Sequence, residues 1–251
     1  LMIVAVIVGT VADMIHKGSA KYFFANARKT RAQGKPVNKA SIAVKTLAVD
    51  VLASGEFCNP RRRVAHLLTM YGFILYVVTT AVMVFVYPTA ATPTPALVSQ
   101  LWWLGGLMVM VGGYWFWFFI RVDVAAEGSS PLRLMRADLF ILSLLASVTA
   151  GLLWAWLQAS GSAASWLFFG LYLLATTVLF GGVYWSKFAH MFFKPAAAFD
   201  KRLAEADGTN MNLPLLSRDD PAQRERHSME LLRDAPMDMG LGIKREAPRH
   251  Y

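Results

Sequence analysis

The sequence predicts an all-α integral membrane protein, a bundle of five transmembrane helices. Hydrophobic residues make up 56% of the 251 residues and charged residues only 16%, whereas a soluble domain carries roughly a quarter charged residues. The chain also contains two long stretches without any Asp, Glu, Lys or Arg, residues 64–120 and 139–186. Each stretch has room for two helices of about 20 residues, the length that crosses the hydrocarbon core of a bilayer.

Breaks in the apolar pattern define the five spans. A proline-rich break at 88–95 divides the first uncharged stretch, and the small polar run 158–165 divides the second. The segment 1–15 is apolar apart from Asp13. We interpret it as a retained first helix, because a signal peptide, the alternative, has a basic start and a small-residue cleavage site. The predicted spans are residues 1–16, 64–87, 99–120, 138–158 and 165–190.

The basic residues predict how these spans are oriented. Segment 17–63 contains 11 Lys or Arg, segment 121–137 three and segment 187–251 another 11, which together are all 25 in the chain. The connections 88–98 and 159–164 contain no charged residue. Because basic loops stay in the cytoplasm, we expect a multi-pass protein of the bacterial inner (cytoplasmic) membrane, with its N-terminus outside and its C-terminus inside. The formal charge of +9 then reflects orientation, and no nucleic-acid partner is expected.

The charged segments also suggest two domains. Residues 1–195 form the predicted five-helix membrane domain, with a cytoplasmic loop at 17–63. Apolar residues within this loop predict an amphipathic helix at the membrane surface, at about 39–54. The C-terminal tail, residues 196–251, has ten acidic and nine basic residues. We interpret it as a docking arm for a partner, and simple disorder is the alternative.

Few residue patterns in the chain could carry chemistry. The single cysteine, Cys58, excludes an internal disulfide, an all-cysteine zinc site and a self-contained iron–sulfur cluster. The paired glycines in the spans do not form a phosphate-binding motif and indicate close helix packing. These pairs are Gly105 with Gly106, Gly112 with Gly113, and Gly181 with Gly182.

Two histidines lie at the cytoplasmic margin of predicted spans. His66 follows three arginines, Arg61, Arg62 and Arg63, at the start of the second span, and His190 closes the fifth. Two imidazoles from different helices can hold one b-type haem, with His66 and His190 as ligands of the haem iron. Neighbouring cations could neutralise the haem propionates; these are Arg61, Arg62, Arg63, Lys187 and Lys194. The alternative is that each histidine is only an interfacial hydrogen-bonding residue.

Four short segments carry a resemblance to a known family. They are AVDVL at 48–52, RRRVAHLL at 61–68, YGF at 71–73 and KFAHM at 187–191. They resemble the nitrate reductase gamma-subunit-like and heterodisulfide reductase-type membrane cytochromes b. Within that superfamily, the chain is most similar to the membrane anchors of dissimilatory adenylylsulfate reductase. The resemblance extends over the five-span region, residues 1–195.

The resemblance implies a membrane anchor and electron-transfer subunit that links a soluble cytoplasmic oxidoreductase to the quinone pool. The implied partner is adenylylsulfate reductase, acting in sulfur oxidation. In the superfamily the second and fifth helices commonly supply two histidines each, but here Tyr76 and Tyr172 stand where the outer pair is expected. The resemblance therefore implies one haem b, on the cytoplasmic side. A continuous helix would place Tyr172 about 27 Å from His190 on the same face.

The same role implies a quinone substrate and hydrogen-bonding groups near it. The candidates are Tyr71, Asp138 and Tyr184, with Lys187 as a further possible donor. Asp138 also has a simpler interpretation, a helix N-terminal carboxylate beside Arg136. Such a subunit is non-catalytic or reacts only with quinone.

Two other functional classes compete with this role. One is a haem-free structural anchor or assembly subunit of a membrane redox complex, in which the histidines only form hydrogen bonds. The other is a small transporter, which would need polar residues at mid-membrane, and the spans carry almost none.

Overall fold

The computed structural model describes residues 1–17, 35–55, 59–89, 91–121, 134–186 and 190–209, together with positions 21, 25, 57, 132 and 188. Within this part of the chain the regular structure is entirely helical, which confirms the predicted all-α class. The main helices, numbered here in chain order, are α1 (Met2–Lys17), α2 (Lys39–Lys45), α3 (Pro60–Val86), α4 (Ala96–Trp115), α5 (Leu139–Ala159), α6 (Ser165–Gly181) and α7 (His190–Ala206). Helix α2 continues as a π-helix over Thr46–Leu52, α4 continues as a π-helix over Phe116–Ile120, and a 3-10 turn at Arg136–Asp138 leads into α5.

Three helices are long and apolar enough to cross a membrane: Pro60–Val86, Ala96–Ile120 and Leu139–Ala159. They correspond to the second, third and fourth predicted spans. Helices α1 and α6 are also apolar, but they are shorter, with 16 and 17 residues. The hydropathy pattern therefore locates these helices correctly from the sequence.

The predicted end of the fifth span is wrong, because α6 stops at Gly181 instead of continuing to 190. The N–H of Gly182 donates to the carbonyl of Val178, and the chain turns before α7 begins at His190. Glycine is a poor helix former, and α6 ends at the pair Gly181 and Gly182 although the sequence stays apolar. A glycine pair alone does not end a helix, since α4 continues through two such pairs. The distance predicted between Tyr172 and His190 along one continuous helix is therefore also wrong.

The helices pack in chain order, α3 on α4, α4 on α5 and α5 on α6, and α1 packs on α6. Short links make neighbouring helices antiparallel. One end of the bundle consequently carries Arg61, Arg121 and Arg136, and we call it the basic end. The links 87–95 and 160–164 lie at the opposite end.

Glycines bring the backbones of α3 and α4 into direct contact. A Cβ added to Gly105 would lie 2.8 Å from the backbone nitrogen of Tyr76, and one added to Gly72 would lie 2.8 Å from the Gly105 carbonyl oxygen. Close packing predicted from the glycine pairs is thus confirmed at Gly105 and Gly112. A Cβ added to Gly181 would have no atom within 4 Å, so this glycine does not support the predicted close packing.

Helix α7 packs on α2 and its π-helical continuation at the basic end. The Arg202 guanidinium donates to both carboxylate oxygens of Asp50, with Nη2 2.8 Å from Oδ1. A helix predicted at about 39–54 is thus confirmed over 39–52.

The domain boundary predicted at 195 falls inside α7, which runs through Pro195 to Ala206. The rest of the predicted docking arm, from residue 210 onward, lies outside the described residues.

The Asp50–Arg202 link makes the docking of α7 dependent on pH. The Arg202 hydrogen bond, opposed in part by burial, lowers the pKa of Asp50 below its usual value of 3.8. The link therefore stabilises the docked helix above pH 3.8 and is lost as the pH falls through the lowered pKa, at a cost of about 1 kcal/mol. We expect spin labels placed at the exposed Ser41 and Lys201 to give a narrow distance distribution at neutral pH that broadens in acid.

An Asp50→Asn variant supplies the control for this measurement. It should give the broad distribution at neutral pH as well. A narrow distribution in that variant would show that apolar packing alone holds α7 in place.

Candidate functional site

His66 lies in the second turn of α3 and is held by the segment that precedes this helix. Its Nδ1 lies 3.0 Å from the hydroxyl oxygen of Ser54, and its ring packs on Phe57 with 4.8 Å between centroids. The Asn59 side chain caps α3 by accepting from the backbone N–H of Arg61 at 2.9 Å. Pro60 follows at the first helical position, where its missing N–H costs nothing.

Ser54 has an unusual backbone conformation for its residue type. Its φ is +48°, the one positive value for a non-glycine residue in the described part of the chain, and only 1% of it is exposed. Such left-handed residues cost about 1–3 kcal/mol and concentrate at functional sites. Here the conformation brings the hydroxyl to the imidazole. A partner on one ring nitrogen fixes the ring orientation, which is how metal-binding histidines are commonly held.

Two predicted cations meet the same aromatic ring that covers His66. The guanidinium carbon of Arg62 lies 5.4 Å from the centroid of Phe57, and Nζ of Lys194 lies 5.5 Å from it. Lys194 belongs to α7, one turn after His190, so Phe57 lies between the start of α3 and the start of α7. We call His66, Phe57, Arg62 and Lys194 the Phe57 cluster. The structure thus brings three of the predicted residues together around one that was not predicted.

His190 begins α7 and contacts α5. Its ring lies 6.2 Å from that of Phe140, which also meets the buried Phe188 edge to face at 5.4 Å. His190 therefore lies at the basic end, one turn from a member of the Phe57 cluster. His190 was predicted at the end of the fifth span, but it lies on α7, which is a separate helix from α6.

The remaining predicted propionate partners differ from one another. Nε of Arg63 donates to the carbonyl of Ala53 at 2.8 Å and so holds the Ser54 segment. Arg61 is exposed. Lys187 lies outside the described residues. In the described part of the chain, no three His, Cys, Asp or Glu side chains are grouped so that they could hold a metal ion. A bis-histidine haem needs two imidazoles; His66 and His190 both lie at the basic end, on the separate helices α3 and α7.

The three quinone candidates lie at the basic end, each with its own partners. The Tyr71 hydroxyl donates to the carbonyl of Leu52 at 2.7 Å. Tyr184 packs edge to face on His16 at 5.6 Å and on Trp185 at 5.5 Å. An open cavity of about 430 Å³ lies beside Trp185. The cavity is lined by Leu134, Met135, Arg136, Leu139, Leu142 and Trp185.

Asp138 is buried and forms an ion pair that was not predicted. Nε of Arg121 lies 3.0 Å from Oδ1, and Nη2 lies 2.5 Å from Oδ2. The backbone N–H of Met135 also donates to Oδ2 at 2.9 Å. The partner expected from sequence, Arg136, is close by in the chain, whereas Arg121 lies 17 residues earlier, at the end of α4. The guanidinium also stacks over Trp117, 4.2 Å from its ring centroid.

Tyr76 and Tyr172 meet inside the bundle against Gly151. A Cβ on Gly151 would lie 2.5 Å from the Tyr76 hydroxyl and 3.0 Å from the Tyr172 ring. Tyr76 stacks on Trp102 at 4.9 Å and Tyr172 stacks on Trp154 at 5.8 Å. Tyr76 on α3 and Tyr172 on α6, the two positions where the resemblance expects outer haem ligands, are therefore brought together as part of an aromatic core.

Comparisons with known proteins give one match. Residues 27–210 match the family described as citrate utilization protein B. Searches of curated proteins and of solved structures each found no match. The matched region covers more than half of the chain and includes the Phe57 cluster and every helix from α2 to α7. The chain belongs to the citrate utilization protein B family.

Proposed function

We propose that the chain is a multi-pass subunit of a bacterial inner membrane, with α1, α3, α4, α5 and α6 as its five spans. The antiparallel packing of α3 to α6 supports this proposal, because it collects the charged segments at one end and the uncharged links at the other. The positive-inside rule then assigns the basic end to the cytoplasm and the start of α1 to the outside.

At the basic end, we infer, the subunit anchors a soluble oxidoreductase and passes electrons between it and quinone through one b-type haem. The observation that carries this inference is the strained, buried Ser54 beside the His66 imidazole. A fixed imidazole, a second histidine one turn from Lys194, and two cations on Phe57 form a donor set with the composition that haem binding needs.

Each residue of this site has a distinct part in the proposed function. His66 and His190 would hold the iron, and a bound haem supplies reversible one-electron transfer. In the tautomer in which Nδ1–H donates to Ser54, Nε2 of His66 would be the atom that holds the iron. Arg62 and Lys194 would neutralise the propionates. Phe57 packs against the His66 ring and would hold its orientation.

The cavity beside Trp185 suggests where quinone would bind. Its lining is mostly apolar and it opens at the basic end, where a quinone diffusing in the inner leaflet would arrive. Tyr184 does not line the cavity but precedes Trp185, which does, and it is the candidate that we favour as a hydrogen-bonding group. Asp138 pairs with Arg121, and the Tyr71 hydroxyl donates to the Leu52 carbonyl. Each would have to break a hydrogen bond in order to bind quinone.

The soluble partner has two candidates with different origins. The resemblance to adenylylsulfate reductase anchors suggests a sulfur enzyme. The family description refers to citrate utilization, which suggests a partner that acts on citrate. Identification of the soluble subunits that co-purify with the chain distinguishes the two.

Replacing either His66 or His190 by alanine should abolish the same single haem signal, because a bis-histidine haem needs both ligands. The measurement is the reduced-minus-oxidised visible spectrum of the purified chain, read at the Soret and alpha bands. The matched control is His16→Ala, since His16 is exposed and contacts Tyr184. This control should keep the full signal.

The alternative function is a haem-free structural anchor or assembly subunit. It requires that the purified chain show no reducible b-type band under any condition. Loss of the signal in only one of the two histidine variants would refute the bis-histidine assignment. Ser54→Ala offers a graded test of its positioning role, with haem affinity about 10- to 100-fold weaker and the spectrum retained.

A further inference from the structure

Helix α2 and its π-helical continuation have one covered face and one open face. Thr46 is 3% exposed and Asp50 pairs with Arg202 of α7, so this side is the covered one. Apolar side chains occupy the other side and are between 40% and 68% exposed: Val44, Leu47, Val49 and Leu52. A contiguous apolar face of this kind marks a surface that another apolar phase covers.

The open face continues directly into the surface of α3. The hydrogen bond from the Tyr71 hydroxyl to the Leu52 carbonyl joins the end of this segment to α3. Tyr71 is 40% exposed, and the apolar Val64 and Val78 on α3 are 45% and 54% exposed. Helix α3 is long and apolar enough to cross a membrane, and tyrosine is enriched where such helices leave the hydrocarbon. The open face is therefore at the depth of the membrane interface.

The charges beside the open face are cationic. The exposed charged side chains of the 39–52 segment are Lys39 and Lys45, and Arg61 is exposed in the first turn of α3. That first turn contains no acidic residue. Each basic residue held near an anionic bilayer strengthens binding about fivefold. A helix with an apolar face and basic residues beside it has the composition of helices that lie in the membrane plane.

We propose that the segment 39–52 is an in-plane membrane helix that binds anionic phospholipid. Its open face enters the acyl boundary, and Lys39, Lys45 and Arg61 contact the lipid phosphates. A soluble protein covering the same face would have to sit at the level where α3 enters the membrane. The continuity with α3 therefore favours lipid as the occupant. This inference is independent of haem binding and depends only on the membrane placement of α3.

The test uses the full chain with Cys58→Ser and one spin label at a time, reconstituted in phosphatidylcholine vesicles with or without phosphatidylglycerol. The label at Leu47→Cys reports the open face. Lys201→Cys, on the exposed side of α7, is the water reference, and Val78→Cys on α3 is the lipid reference. Accessibility to oxygen and to a water-soluble nickel complex is measured at each position.

The label at position 78 should give oxygen access exceeding nickel access, and the label at 201 should show the reverse. The label at position 47 should lie between the two references, nearer to 78. Adding phosphatidylglycerol should raise the ratio of oxygen access to nickel access at position 47. The triple variant Lys39→Gln, Lys45→Gln and Arg61→Gln should lose that shift.

Two results would overturn the proposal while leaving the membrane placement intact. One is nickel access at 47 equal to that at 201 in both kinds of vesicle, which would show that the face lies in water. The other is a phosphatidylglycerol shift unchanged by the triple substitution. A water-like result at 78 would instead overturn the membrane placement itself, and the proposal with it.

Discussion

Replacing Gly112 by alanine should destabilise the protein by about 1–3 kcal/mol, although alanine is the better helix former. The added Cβ would lie 2.6 Å from the Thr69 hydroxyl, 2.7 Å from the Ala65 carbonyl oxygen and 2.8 Å from the Thr69 nitrogen. Two of these atoms belong to the backbone of α3 and cannot rotate away. The helices must therefore separate. The measurement is thermal unfolding of the detergent-solubilised chain.

Gly170→Ala is the matched control, because Gly170 is also within a helix but has no atom within 4 Å of an added Cβ. Alanine there should be neutral or stabilising by up to about 1 kcal/mol, from helix propensity alone. The two substitutions therefore have opposite expected signs. Equal effects would contradict the direct backbone contact between α3 and α4. Because Ala65 precedes His66, Gly112→Ala should also disturb the proposed haem site.

Replacing Asp138 by asparagine should cost about 3–5 kcal/mol, the typical cost of leaving one partner of a buried ion pair without its counter-charge. The side chains of Arg121 and Asp138 are only 10% and 9% exposed. The exposed pair Lys201 and Glu205, with 75% and 55% exposure and 3.9 Å between charges, is the control. Glu205→Gln should change stability by less than about 0.5 kcal/mol.

A double variant shows whether the loss comes from the uncompensated charge. Asp138→Leu combined with Arg121→Met should recover most of the lost stability, because an apolar pair needs no counter-charge. If Asp138→Asn kept its stability but lost quinone reactivity, stabilisation through the ion pair would not be the role of Asp138. Asp138 would then act on quinone directly, as one of the hydrogen-bonding groups that the sequence suggests.

The sequence predicts the apolar helices well because a bilayer requires long uncharged segments, and the charge pattern shows which ends lie together. It does not predict the end of α6 correctly. The apolar pattern continues through Gly181 and Gly182, whereas the helix ends there in a turn. Hydropathy does not distinguish this glycine pair from the two pairs within α4. The helix at 39–52 is predictable, since its apolar spacing is local.

The site is predicted only in part, and the reason is distance along the chain. His66 and Arg62 share a helix turn, so their proximity can be read from the sequence. Ser54 and Phe57 lie in an irregular segment that has no periodicity to place their side chains. The pairing of Arg121 with Asp138 is missed because the link to α5 separates the two residues, although the facing ends of two consecutive antiparallel helices lie close together.

The contact between Asp50 and Arg202 joins residues 152 positions apart. Asp50 is synthesised before any of the three long apolar helices, and Arg202 is synthesised after all of them. The two can meet only after every intervening helix has been synthesised. Loop closure costs rise slowly with length, about 0.6 kcal/mol for each doubling, so chain entropy does not prevent such a late contact. Docking of α7 on α2 therefore follows the synthesis of all three long apolar helices.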